Sequence, residues 1–139
     1  MTSRISHTSV DAGDACAQSI WWADVLGWSE DPEDPNEPGD EECMIFPPDG
    51  RSRLLFIEVP EGKAVKNRLH LDLRPTGGDT RDQEVERLIG CGATQVADHR
   101  RSDGSGWVTL ADPEGNEFCV LRGDAEAADP YAHLVAPLG

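Results

Sequence analysis

The sequence predicts an α+β fold of two βαβββ modules, with eight strands around a cleft and the helices outside. Two observations predict it. Strand-like and helix-like segments follow one another as strand, helix, then about three strands, and this order runs twice. His7 and His70 lie 63 residues apart, and Gly27 and Gly90 and the turn residues Asp49 and Asp112 share that offset.

The elements justify this order one by one. Residues 4–10 are rich in β-branched and hydroxyl types and read as a strand. Gly13-Asp14 supplies a turn and an N-cap carboxylate; Trp21, Trp22, Val25 and Leu26 then fall on one helical stripe that Gly27 closes, giving a helix over 14–26. Residues 30–42 are acidic and carry Pro32, Pro35 and Pro38, so they read as an exposed loop. Strands at 43–46 and 53–59 flank the Pro47-Pro48-Asp49-Gly50 turn and form a hairpin. In residues 68–74, Leu69, Leu71 and Leu73 alternate with His70, Asp72 and Arg74, which predicts a strand with its leucines in the core. Thr80 and Gln83 make a capping box before Val85, Leu88 and Ile89, with Gly90 and Gly92 as stops. Strands at 94–99, 107–111 and 117–121 follow, the last two joined by the Asp112–Asn116 turn, and residues 123–139 form a polar C-terminal extension.

Composition narrows the function. The 139 residues suit one domain, and 27 acidic against 12 basic residues give a formal charge of −15. Such a surface repels nucleic acid and anionic lipid. No apolar run exceeds four residues, whereas a membrane helix needs about 20 and a signal peptide about 7–15. The expectation is therefore a cytoplasmic protein that contacts neither membrane nor nucleic acid. Cys16, Cys43, Cys91 and Cys119 form no zinc-finger spacing and read as reduced thiols.

Three stretches together carry a resemblance: Trp21-Trp22 with Val25-Leu26-Gly27-Trp28, Lys66–Leu73, and Trp107–Leu121 with its Asp-Pro-Glu-Gly-Asn turn. They resemble the vicinal oxygen chelate superfamily, which includes glyoxalase I, bleomycin-resistance proteins and extradiol dioxygenases, and within it the glyoxalase-like domains. The resemblance covers residues 4–122 and implies one domain with modules at about 4–60 and 66–122, an incompletely closed eight-stranded barrel and a homodimer. It also implies metal ligands from the first and last strand of each module. Those positions here are His7, Glu58 and His70, while the last, where the family carries a carboxylate, is Cys119.

Two readings of these positions stand. His7, Glu58, His70 and Cys119 together suit a divalent ion, and a thiol favours zinc over harder metals. Alternatively Cys119, between Phe118 and Val120, is a small core filler and the metal site is degenerate. The His70, Asp72 and Arg74 face carries more information. If its neighbours keep register, it shares a concave face with Trp107, Thr109 and Glu117, the make-up of a ligand pocket. His70 beside Asp72 suits a general base or an anchor. His99 and His133 read as surface residues, and Gly104-Ser105-Gly106 lacks the helix a phosphate loop requires.

The favoured function is small-molecule binding in the cleft by His70, Asp72, Trp107, Cys119 and Trp21, with cationic compounds drawn by the negative field. One alternative is a divalent-metal-dependent lyase, isomerase or dioxygenase, with His70 and Asp72 as catalytic groups. Another is an acidic interaction module acting through residues 30–42.

Overall fold

The computed structural model describes residues 1–135; residues 136–139 of the expected C-terminal extension lie outside the described residues. The chain divides into two units, Met1–Gly62 and Lys63–Gly139.

The first unit runs β1 (Thr8–Ala12), α1 (Ala15–Leu26), β2 (Glu42–Ile45) and β3 (Leu54–Glu58). Its sheet has the order β1-β3-β2, with β1 parallel and β2 antiparallel to β3. Helix α1 begins where expected because the Asp14 carboxylate accepts the Ala17 N–H at 3.0 Å. It ends at Gly27, whose φ of 67° suits a residue without Cβ and whose N–H reaches the Ala23 carbonyl. Removing the cap in Asp14→Ala should lower stability by about 1 kcal/mol in urea denaturation. The helix packs on β2 and β3, and Trp22 and Val25 are buried with Cys43, Ile45, Leu54 and Phe56. The acidic 30–42 segment is largely loop, and its prolines withhold ladder donors. Ser29 and Phe46 form an isolated bridge beside it, so this unit carries three named strands rather than four.

The second unit runs β4 (Asp72–Leu73), α2 (Arg81–Gly90), β5 (Thr94–Asp98), β6 (Val108–Ala111) and β7 (Glu117–Val120), then a 3₁₀ turn at Ala132–Leu134. Its sheet has the order β4-β7-β6-β5, with β4 parallel to β7 and the other pairs antiparallel. The capping box forms as expected, Thr80 and Gln83 each bonding the other's backbone N–H. Val108, Leu110, Phe118 and Val120 are buried on one face of the sheet, with Val85 and Leu88 of α2 also in the core. The Asp112 carboxylate ties the β6–β7 turn by accepting from Glu114 N, Asn116 N and Asn116 Nδ2.

Three local expectations are corrected. The seven-residue strand at 68–74 shortens to Asp72–Leu73, and Leu69 is 88% exposed. Alternation sets a periodicity but cannot supply a partner strand, and β7 has only four residues to pair. The first strand starts at Thr8, so His7 precedes it. Ile89 is exposed, while the stripe it was expected to share keeps Val85 and Leu88 inside. The α+β class and the doubled strand–helix–strand order hold.

Candidate functional site

Strand parity builds one face of the second sheet. Register places Asp72 opposite Cys119, and Cys119 opposite Thr109. Directly opposed residues hold their Cβ atoms about 4.5–5.5 Å apart, so these three side chains form a row across β4, β7 and β6. Two residues along the chain returns to the same face. Glu117 and Leu121 therefore flank Cys119, and Trp107 joins Thr109, while His70, which precedes β4, reaches the same space beside Asp72. These residues, with Lys66 and His99, line a cleft of about 390 Å³.

Within the cleft, His70 Nδ1 lies 2.9 Å from Asp72 Oδ1. A carboxylate accepts, so Nδ1 donates in this bond. One ligand atom each from His70, Asp72 and Cys119 lies within 4.8 Å of the others. Thr109 Oγ1 is 3.5 Å from Cys119 Sγ. Burial pushes the Cys119 thiol up; the Thr109 hydrogen bond opposes this and the Asp72 charge adds to it. The thiol is accordingly protonated when no cation is near. Burial also pushes Glu117 up, but the Asn67 N–H and the Lys63 ammonium override it and hold the carboxyl at about 2. Glu117 Oε2 accepts from Asn67 N and Oε1 from Lys63 Nζ, both at 3.0 Å.

An aromatic wall closes one side. The His99 imidazole stacks on the Trp107 indole with centroids 4.8 Å apart and planes at 29°. Both rings sit where the β5–β6 hairpin narrows, joined by the bond from His99 N to the Trp107 carbonyl. Arg81 of α2 is buried and sends Nη1 to the carbonyls of Gly104, Ser105 and Gly106 at 3.0–3.1 Å. The Gly-Ser-Gly run is thus the clamped turn that carries this wall.

The first-unit candidates are placed as follows. His7 is half-buried, its Nδ1 3.0 Å from Ser6 Oγ. Glu58 is exposed at the end of β3. Pairing of Val10 with Phe56 and of Ala12 with Glu58 puts Glu58 on the parity of the buried Leu54 and Phe56. Trp21 is half-buried on α1, edge-on to Trp22 with centroids 5.1 Å apart; it is not among the residues lining the cleft.

Sequence reasoning missed Lys63, Lys66, Leu121 and the Arg81 clamp, and it put His99 on the surface. His99 remains exposed, yet it lines the cleft. Its parity with Ala97, opposite Thr109, was the available signal. Lys63 and Arg81 gave none, because each acts on a segment more than 20 residues away.

Residues 7–121 match the family model described as "Glyoxalase-like domain". No curated protein matches the chain at a significant level. Among solved structures, the chain is similar to the fosfomycin resistance protein FosX from Listeria monocytogenes, at 15% identity and a TM-score of 0.66, covering 96% of this chain and 98% of that one. It is also similar to a glyoxalase/bleomycin resistance protein/dioxygenase family enzyme from Burkholderia phytofirmans PsJN, at 20% identity and 0.63, covering 83% and 94%. The FosX from Mesorhizobium loti gives 16% and 0.60, covering 87% and 92%. At these identities the structures speak for the fold, and the family match speaks for descent. Both agree with the paired strand–helix–strand units, and the chain belongs to the glyoxalase-like domain family of the vicinal oxygen chelate superfamily.

Proposed function

We propose that the protein binds a small molecule in the cleft of its second unit. The observation that carries this is the cleft itself, about 390 Å³ with ionisable groups on its floor and the Trp107–His99 stack on its wall. A pocket of this size with an aromatic wall and a few convergent polar groups suits a ligand of modest size. In this reading Trp107 offers the ring surface, His70, Asp72 and Cys119 face the ligand's polar atoms, and the net charge of −15 draws cationic compounds toward the protein. The reading includes a homodimer and a cytoplasmic setting.

The test is calorimetry and thermal shift against cationic and neutral aromatic compounds, with chelator present. Binding should persist in chelator, and Trp107→Ala should weaken it by about 1–2 kcal/mol, roughly 5–30-fold. A panel without binders, or a Trp107→Ala variant that binds as tightly as the parent, overturns the proposal.

A second reading is favoured by the convergence of His70, Asp72 and Cys119: a metal-dependent lyase, isomerase or dioxygenase. One of the similar FosX structures is described as complexed with Mn(II) and 1S,2S-dihydroxypropylphosphonic acid. A divalent ion at the cluster would supply Lewis acidity toward paired ligand oxygens. The chain's own part is to orient the His70 ring through its bond to Asp72.

A further inference from the structure

We infer that the cleft selects an organic anion, an aromatic carboxylate in particular, and that Lys66 is the residue that determines this choice. The choice rests on the cleft reading above and names the ligand group that the cleft holds, which the overall charge of the chain does not decide.

The commitments of the charged groups carry it. Two carboxylates, Asp72 and Glu117, and the Lys66 ammonium line the cleft. Glu117 is occupied, because Oε1 accepts from Lys63 Nζ and Oε2 from Asn67 N, both at 3.0 Å. Asp72 accepts from His70 Nδ1 at 2.9 Å. Lys66 has no carboxylate partner among the described residues; its ammonium reaches only the Asn67 carbonyl, at a long 3.4 Å. An ammonium has three donors, so the remaining ones are open to a ligand. Burial pushes the Cys119 thiol up, and the Lys66 charge is among the effects that oppose it, so the field of this ammonium acts inside the cleft.

The aromatic wall points the same way. A ring that recognises a ligand cation presents its π face to it. The Trp107 ring already has the Arg101 guanidinium carbon 6.0 Å from its centroid and the His99 imidazole stacked on it. With Leu121, the wall adds apolar surface suited to an aromatic body. The net charge of −15 acts on approach, but exposed charges are screened beyond about 8 Å at physiological ionic strength. Contacts inside the cleft therefore set which group docks.

The experiment titrates the full chain, in chelator, with three compounds of one shape: naphthoate, naphthamide and naphthylmethylammonium. Chelator removes any ion that would itself attract a carboxylate. Calorimetry should find the carboxylate about 5–10-fold tighter than the amide, the scale of one partly exposed charge-assisted contact, with the ammonium weakest. Added salt should narrow the gap. Lys66→Met should lower the carboxylate to the affinity of the amide and leave the amide unchanged, and Lys66→Glu should reverse the order of the two charged compounds. Lys66 is exposed, so neither variant disturbs a core, and the order of the three compounds in the unmutated protein needs no variant. Amide or ammonium bound as tightly as the carboxylate overturns the inference and leaves the cleft reading standing. So does a carboxylate preference that survives in Lys66→Met. Binding of none of the three sinks both.

Discussion

Arg81→Met is expected to destabilise the protein by about 3 kcal/mol, a drop of roughly 10 °C in melting temperature at this chain length. The Arg81 side chain is only 6% exposed. Its Nη1 satisfies three successive carbonyls, and its Nε bonds Asp82 at 3.0 Å. Methionine fills much of the same volume but leaves those carbonyls without their cation. Hydrogen bonds to a charged group contribute about 1.5–3 kcal/mol, and the buried Arg81 makes several of them at once. Arg81→Lys should recover only part of the loss, because an ammonium cannot reproduce the planar fork. Urea denaturation measures both, and near-ultraviolet circular dichroism reports whether Trp107 loses its fixed environment. A methionine variant as stable as the parent would show that the clamp contributes nothing.

Gly106→Ala is expected to cost about 2–4 kcal/mol, for two separable reasons. Gly106 has a φ of +92°, where an L side chain is strained, and an added Cβ would lie 2.0 Å from the backbone oxygen of His99. That oxygen belongs to the hairpin and cannot move without displacing the His99–Trp107 stack. Gly104 provides the control. Its φ is +90°, but an added Cβ meets nothing within 4 Å, so Gly104→Ala should show the backbone strain alone, about 1–2 kcal/mol. If thermal denaturation finds the two variants equal, the close approach at Gly106 is not a constraint. Ligand binding should follow the same order, because the turn carries the ring surface.

Particular residues show what could be read beforehand. Asp14, Thr80 and Gln83 cap their helices as expected because a cap is a bond between residues three apart. The face shared by His70, Asp72, Trp107, Thr109 and Glu117 was also legible, because alternation fixes which side chains lie together once strands pair. Pairing itself was not. Leu69 sits in a clean alternating pattern and still faces water, since β4 finds a partner for two residues only. Glu58 looked like a ligand position by analogy, yet its register aligns it with Leu54 and Phe56.

The sequence by itself determined the two strand–helix–strand units, their caps and turns, and the assortment of side chains on each strand face. Backbone geometry and hydrogen bonds within a few residues settle all of these. Only the tertiary structure decided that Asp72 stands beside Cys119, that Lys63 occupies Glu117 across 54 residues, and that Arg81 secures the turn carrying Trp107. Those neighbours are distant along the chain, and their meeting depends on which surfaces pack together, a property no local pattern encodes.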